Sequence, residues 1–195
     1  MMRCWFEGRG GIMRITSGWL RNRRFEVPKG DVRPTMESVR EALFSSLGGS
    51  CEGWRVLDLF AGSGALGLEA WSRGAEHVRF VEKQSAAVAQ LEASVAALRM
   101  EGLGAVEVVR ADVLRWLPGA FGCYDLIFAD PPYDLPEAFS QTLAGVVRSG
   151  ILAESGWLVY EMRGVQSVEI PADWKVMRDK AYGKTRVVML KRESG

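Results

Sequence analysis

The sequence predicts an α/β fold: a mostly parallel seven-stranded sheet with helices on both faces, closed by an antiparallel hairpin and preceded by a small β-hairpin. Three observations predict it. From Trp54 onward, short apolar runs rich in β-branched residues alternate with segments of helical period, the pattern of parallel strands joined by covering helices. A glycine-rich turn follows the first of these runs. The C-terminal run "WKVMRDKAYGKTRVVMLKR" reads as two strands around Tyr182-Gly183-Lys184. A chain of 195 residues, 48% of them hydrophobic, suits one such domain with a small appendage.

The elements follow in order. Residues 1–12 are Gly- and Arg-rich without periodicity and are expected to form a disordered extension, with Met13 available as an alternative start. Residues 13–34 are the appendage: "MRITSGWLRNRRFEV" gives two short strands around a basic turn. Residues 35–195 form the main domain. Thr35 is placed to cap a helix with Glu37 in its first turn and Met36, Val39, Leu43 and Leu47 on one face. "RVLDLF" (55–60) is a buried strand, followed by the glycine turn and a helix to about Arg73. "HVRFVE" (77–82) is the next strand, and Val88, Leu91, Val95 and Leu98 mark the buried face of the helix after it. "AVEVVRA" (105–111), "YDLIFAD" (124–130) and "GWLVYEM" (156–162) are further strands, with a helix over about 136–148. Residues 163–173 are too few for a full covering helix, so the last crossover is abbreviated.

Charge and cysteine content narrow the setting. The net charge of +1 hides a segregation: residues 14–40 carry seven Lys/Arg against three Asp/Glu (+4), residues 175–195 seven against two (+5), and residues 41–174 nine against eighteen (−9). Two basic ends around an acidic body suit a polyanion held along one side. Cys4, Cys51 and Cys123 are odd in number and far apart, which fits incidental thiols in a reducing cytoplasm and neither a disulfide framework nor a zinc site. No apolar run approaches the roughly 18 residues that cross a bilayer, and the N-terminus lacks the apolar segment of a secretory signal.

"DLFAGSGALG" puts Asp58 near the end of the first buried strand and glycines at 62, 64 and 67, the G-x-G-x-x-G spacing. Glu82 ends the second strand, 24 residues after Asp58, where it can accept both hydroxyls of a ribose. A dinucleotide enzyme and an S-adenosylmethionine enzyme both predict these residues. They differ at Asp58, which would repel a pyrophosphate but suits the ammonium of a methionine moiety. Asp112, in "RAD" just past the third strand, can accept from an adenine amino group; its alternative is a helix N-cap for "VLRWL". The cofactor expected is S-adenosylmethionine, in a Rossmann-like class I methyltransferase fold.

"FADPPYD" (128–134) leaves the fourth strand beside the same crevice. Proline fixes φ and has no N–H, so Pro131 and Pro132 make a rigid loop whose carbonyls are free to accept. Asp130 adds a carboxylate and Tyr133 a flat face. Two acceptors and a stacking ring are what an exocyclic amino group on a planar base requires: its protons are held and its lone pair is aimed outward. The motif therefore predicts methyl transfer to an amino-bearing base. His77 is read as structural, and neither a metal cluster nor a serine triad can be assembled.

With these residues in view, the sequence resembles the RsmD family, bacterial methyltransferases acting on guanine N2 in 16S ribosomal RNA. The likeness runs from Met13 to about Arg192 and is carried by "RPTMESVREALF" (33–44), "LDLFAGSGALGLEAWSRGA" (57–75), "FADPPY" (128–133) and "YGKTRVVML" (182–190). It implies S-adenosylmethionine as donor and a small-subunit guanine, conventionally numbered 966, as target, with assembled or partly assembled subunits preferred over naked RNA. The resemblance puts the cofactor site on Asp58, Phe60, Ala61, Gly62, Ser63, Gly64, Glu82, Asp112, Val113 and Asp130, and catalysis on Asp130, Pro131, Pro132 and Tyr133. RNA contacts are expected from Arg21, Arg23, Arg24, Arg33, Arg40, Lys184 and Arg186. The expected enzyme is a cytoplasmic monomer without metal or membrane contact. Lys83-Gln84 after Glu82, Ser94 in the following helix and Met36 depart from the family's usual residues.

Rival readings lack parts. A DNA adenine or cytosine amino-methyltransferase shares the Asp-Pro-Pro-Tyr loop but carries a target-recognition region for which this chain has no room. A protein glutamine methyltransferase usually has Asn where Asp130 stands. A non-catalytic RNA-binding assembly factor has no need of Asp130 and Tyr133, and an NAD oxidoreductase leaves the proline loop unexplained.

Overall fold

The computed structural model describes residues 11–27, 34–132, 135, 137–164 and 167–193. Two strands come first, β1 (Gly11–Arg14) and β2 (Arg24–Val27), then α1 (Pro34–Ser46), β3 (Arg55–Leu59), α2 (Ala65–Ser72), β4 (His77–Glu82) and α3 (Ser85–Leu98). The second half runs β5 (Ala105–Arg110), α4 (Val113–Trp116), a 3-10 turn at Leu117–Gly119, β6 (Tyr124–Ala129), α5 (Ala138–Ser149), β7 (Leu152–Arg163), β8 (Trp174–Tyr182) and β9 (Thr185–Arg192). The seven-stranded sheet has the order β5-β4-β3-β6-β7-β9-β8. The first five of these strands pair in parallel, and β9 pairs antiparallel with both β7 and β8. The chain builds outward from β3 to β5, then returns to lay β6 on the other side of β3. That reversal opens a crevice at the C-terminal ends of β3 and β6, where open α/β sheets bind ligands.

Alternation along the strands divides the core. Val56, Val78, Phe80, Leu126 and Phe128 face α1, α2, α3 and the N-terminal hairpin, whereas Leu57, Leu59, Val81, Ile127 and Ala129 face α5 and the 3-10 turn. Both faces of the central strands are therefore apolar, which is why those runs read as continuous rather than alternating.

Several boundaries differ from expectation. β1 starts at Gly11, inside the stretch expected to be disordered, because Gly11 pairs with Val27 and Ile12 with Glu26; the rest of that expectation, residues 1–10, lies outside the described residues. Helix α1 starts at Pro34, so Thr35 is within the helix and not its cap; proline suits a first helical position because no N–H is needed there. β7 begins four residues earlier than expected and is out of step with β6 between Tyr124 and Leu126. No helix lies between β7 and β8 among the described residues, and no described helix is long and apolar enough to cross a membrane.

The hairpin is not a loose appendage. Met13, Ile15, Leu20, Phe25 and Val27 are buried in the same core as α2 and α3. Its turn grips the C-terminal end of α2: Trp19 N donates to the Ser72 carbonyl (2.7 Å), Leu20 N to Ser72 Oγ (2.9 Å), and Ser72 Oγ to the Ser17 carbonyl (2.5 Å). Gly18 has φ +80°, and a Cβ there would lie 1.8 Å from the Ser72 oxygen, so only glycine allows this approach. One turn away, the fully buried Glu69 carboxylate accepts from Thr16 N (3.0 Å), Thr16 Oγ1 (2.6 Å), Ser17 N (3.1 Å), Arg40 Nε (3.1 Å) and Arg73 Nε (3.0 Å). A charge with no exposure is tolerated because each oxygen is multiply bonded and two guanidinium groups face it.

Candidate active site

A cavity of about 800 Å³ lies along the C-terminal edge of the sheet. Each of five neighbouring strands delivers one carboxyl group to it: Asp112 beyond β5, Glu82 from β4, Asp58 from β3, Asp130 beyond β6 and Glu161 from β7. The β8–β9 turn closes the far side with Tyr182, Lys184 and Thr185, and α1 contributes Val39 and Leu43 as an apolar wall.

At the β3–β4–β5 end, the glycine turn is tied to the acids on either side. Glu82 Oε2 accepts from Gly62 N (2.8 Å) and Oε1 from Gln84 N (2.7 Å), so the carboxylate is fixed while each oxygen keeps a further lone pair. Asp58 shares a face of β3 with Val56, toward α2, and its Oδ2 accepts from Gly67 N (2.9 Å) in the first turn of that helix. A Cβ on Gly67 would stand 2.2 Å from the Phe80 ring and 3.0 Å from Asp58 Oδ2, which accounts for the third glycine as a close-approach residue. Phe60 leaves the strand at φ +58°, an uncommon conformation for an aromatic residue, and lines the cavity with Ala61, Gly62 and Ser63. Gly64, at φ +75°, opens α2.

The acids at this end titrate differently. Burial is the main force on Asp58 and, opposed by the Gly67 hydrogen bond and aided by the Glu82 charge, pushes it up to about 7. Asp112 is held below its usual range, chiefly by a hydrogen bond from Lys83 Nζ at 2.7 Å. Asp112 also caps α4, accepting from Arg115 N at 3.4 Å, so the cap and the cavity rim are one residue. Val113, next to it, is buried and lines the cavity. This donor set fits S-adenosylmethionine: a carboxyl for an ammonium at Asp58, a fixed carboxylate for a ribose diol at Glu82, and an acceptor for an adenine amino group at Asp112.

At the other end, Asp130, Pro131 and Pro132 line the cavity. Asp130 N reaches the Leu59 carbonyl at 3.4 Å, a last link to β3 before the chain departs. Pro131 is buried; the exposed Pro132 accepts from Leu135 N (3.2 Å), which closes the loop. Burial, reinforced by the Asp130 charge, raises the phenol of Tyr160 on the opposite face of the sheet. Tyr133 lies outside the described residues.

The residues expected at RNA divide. Arg21, Arg23 and Arg24 are exposed on the hairpin, with Arg23 also donating to the Ala97 carbonyl at 3.3 Å. Lys184 is exposed at the cavity mouth. Arg186 is held by both oxygens of Asp179, at 2.8 and 2.6 Å. Arg33 lies outside the described residues. Arg40 is a correction: it is 3% exposed, bonded to Glu69 and to the Arg14 carbonyl (2.6 Å), and is a structural tie between α1, α2 and the hairpin. His77, at the start of β4, is at the opposite end of the sheet.

Two residues, Glu69 and Glu161, carry roles that the sequence reading does not assign, and Lys83, read there only as a departure from the family's pattern, has a partner. Lys83 pairs with Asp112, Glu69 organises the hairpin, and Glu161 enters the cavity beside Asp130. Glu161 carried the signal that marked Glu82, an acid near the end of an otherwise apolar strand.

Comparison with known proteins agrees with this architecture. The family model described as "Conserved hypothetical protein 95" matches residues 13–191. Ribosomal RNA small subunit methyltransferase D of Escherichia coli (strain K12) is 33% identical over 94% of this chain and 92% of its own length. The protein of the same name from Haemophilus influenzae is 31% identical over 89% of this chain and 90% of its own length. The solved structure of yhhF from Escherichia coli superposes with a TM-score of 0.83 at 32% identity, covering 95% of this chain and all of that one. By motif, fold and extent of match, the chain belongs to the RsmD family of rRNA methyltransferases.

Proposed function

We propose that this enzyme, an S-adenosylmethionine-dependent rRNA methyltransferase, methylates the exocyclic N2 of a guanine in 16S rRNA, the guanine-966 type, on the small ribosomal subunit or an assembly intermediate. It would do so as a cytoplasmic monomer without a metal. The observation that carries this reading is the rigid Asp130-Pro131-Pro132 segment at the switch point, one strand away from the Asp58–Glu82 cofactor residues.

When bound, the cofactor supplies an electrophilic methyl group on a sulfonium. Asp58 would hold its ammonium, Glu82 its ribose and Asp112 its adenine. Asp130 would accept one proton of the guanine amino group and the Pro131 carbonyl the other, leaving the nitrogen lone pair directed at the glycine loop. Once it has accepted the methyl group the nitrogen must shed one amino proton, which Asp130 would take and pass to water. The amino group is a poor nucleophile because its lone pair is conjugated into the ring, so positioning supplies most of what the protein contributes. Tyr133 would stack on the base, worth about 1–3 kcal/mol in comparable sites.

The test is transfer of labelled methyl to unmethylated small subunits, with naked 16S rRNA and duplex DNA in parallel, followed by digestion to nucleosides. N2-methylguanosine from the subunits is the expected product; label in N6-methyladenosine or only in DNA overturns the reading. Asp130→Ala is expected to lose transfer by at least about 100-fold while cofactor binding persists, and near-wild-type turnover in that variant would remove Asp130 from the mechanism.

A further inference from the structure

The mechanism above makes no use of Glu161, although it lines the same cavity as Asp130. β6 and β7 run parallel with Ala129 opposite Tyr160, so Asp130 and Glu161 are the next residues along the same register. Both follow residues that face α5, so the alternation of the strand turns Glu161 back to the α1 side, the side of Val159 and of the cavity wall made by Val39 and Leu43. On its other flank, β9 sets Val187 opposite Glu161 and Thr185 opposite Arg163. Thr185 stands beside Glu161 and lowers its carboxyl against the effect of burial, and Tyr182 and Lys184 complete that corner. The other charged groups lining the cavity are Asp130, Lys184, Arg40, Lys83 and the three acids of the cofactor end.

We propose that Glu161 reads the base: its carboxylate accepts the N1–H of the target guanine while Asp130 and the Pro131 carbonyl hold the neighbouring amino group. This rests on the guanine-N2 reading. The chemistry follows from the hydrogen-bond pattern beside each exocyclic amine. Guanine carries a ring donor, N1–H, next to its amino group. Adenine and cytosine carry a ring lone pair there, N1 and N3 respectively. An ionised carboxyl beside Asp130 therefore complements guanine and repels the other two amino-bearing bases. An Asp-Pro-Pro loop alone reads only the amino group and cannot make this choice. Burial raises Glu161 to about 6, so it is ionised at neutral pH and above, as the reading requires. A site built to bond a ring donor discriminates strongly because its own buried acceptor is left unpaired by the wrong base.

The test uses small subunits reconstituted with 16S rRNA carrying either guanine or 2-aminopurine at the methylated position. 2-Aminopurine keeps the amino group and replaces N1–H with a lone pair. Wild-type enzyme is expected to prefer guanine by at least about 100-fold in kcat/KM. Glu161→Gln keeps the shape and a partner for Thr185, and its amide can present a donor. It is expected to lower activity on guanine about tenfold or more and to reduce the preference over 2-aminopurine by a similar factor. Affinity for S-adenosylhomocysteine and the melting temperature should stay near wild type. Glu161→Ala is expected to lose about 100-fold on guanine. If Glu161→Gln keeps both the wild-type rate and the wild-type preference, Glu161 is only a partner of Thr185 and the proposal is overturned. Wild-type enzyme that leaves the subunits unlabelled, or labels adenine or cytosine, overturns the guanine reading and this proposal with it. Formation of N2-methylguanosine by wild type separates the two failures.

Discussion

With Asp58 holding the cofactor ammonium as proposed, cofactor affinity is expected to depend on pH in a way that can be worked out from its surroundings. It is 3% exposed, and burial lifts its pKa from 3.8 to about 7. In the free enzyme at pH 6, roughly one molecule in ten therefore carries the ionised form, and at pH 8 roughly nine in ten. A cofactor ammonium is matched only by the carboxylate, and apparent affinity scales with the fraction in the competent state. The dissociation constant for S-adenosylhomocysteine should then tighten about tenfold from pH 6 to pH 8. Binding at pH 6 should release about one proton, and binding at pH 8 almost none. Titration calorimetry in two buffers of different ionisation enthalpy reads both quantities at once. Asp58→Asn, which can still accept from Gly67 N, should bind more weakly at pH 8 by about 10- to 100-fold and lose the pH dependence. That control matters because Glu161, raised to about 6, titrates in a neighbouring range at the other end of the cavity. The same burial has a stability consequence: the contribution of Asp58 to folding is fully present below about pH 4 and is lost as the pH rises through about 7. A dissociation constant equal at pH 6 and pH 8, with no proton release at either, would refute the reasoning.

Two further outcomes follow from the hairpin. Glu69→Gln leaves Arg40 and Arg73 without their buried counter-charge and is expected to cost about 3–5 kcal/mol, or roughly 6–20 °C in melting temperature. Adding Arg40→Met to that variant should cost little more, because the pair is already broken; a single-variant loss below about 1 kcal/mol would mean the network is not what holds the hairpin. Replacing Arg21 and Arg24 with Gln is expected to lower the slope of log affinity against log salt by about 0.7–0.9 for each phosphate contact removed. Arg23→Gln should contribute less, since its guanidinium already serves the Ala97 carbonyl. An unchanged slope would take the hairpin out of the RNA interface.

What was legible in the sequence was whatever a strand end exposes. Asp58 and Glu82 were found because an acid near the end of an apolar run has little structural reason to be there, and the glycine spacing gave the turn between them. Glu161 carries that mark in "LVYEM" and was overlooked because no glycine or proline motif follows it to draw attention. The pairing of Arg40 with Glu69, 29 residues apart, was not legible at all. An arginine on a helix in a basic stretch reads as a surface charge, and only the docking of α1, α2 and the hairpin around one carboxylate makes it a buried tie. Asp112 reads in the sequence either as a cap or as a cofactor acceptor, and the fold makes it the cap of α4 while also setting it on the cavity rim beyond β5.

The charge segregation also takes on a physical meaning. Five carboxyl groups along one sheet edge would repel the phosphates of an RNA backbone laid across them. They do not repel the parts of the ligands expected inside: an ammonium, a ribose diol, and base edges that present N–H donors. An acidic cavity would therefore favour a nucleotide whose base enters while its phosphate stays outside, at the rim where Lys184 stands. On the proposed function, positive charge at both ends of the sequence and negative charge between them would be a division of labour, with the basic segments holding the polyanion and the acidic edge admitting an amino-bearing base. On this reasoning, raising the positive charge of the cavity itself, as in Glu161→Lys, should strengthen RNA binding while abolishing transfer, the opposite of what neutralising Arg21 and Arg24 does.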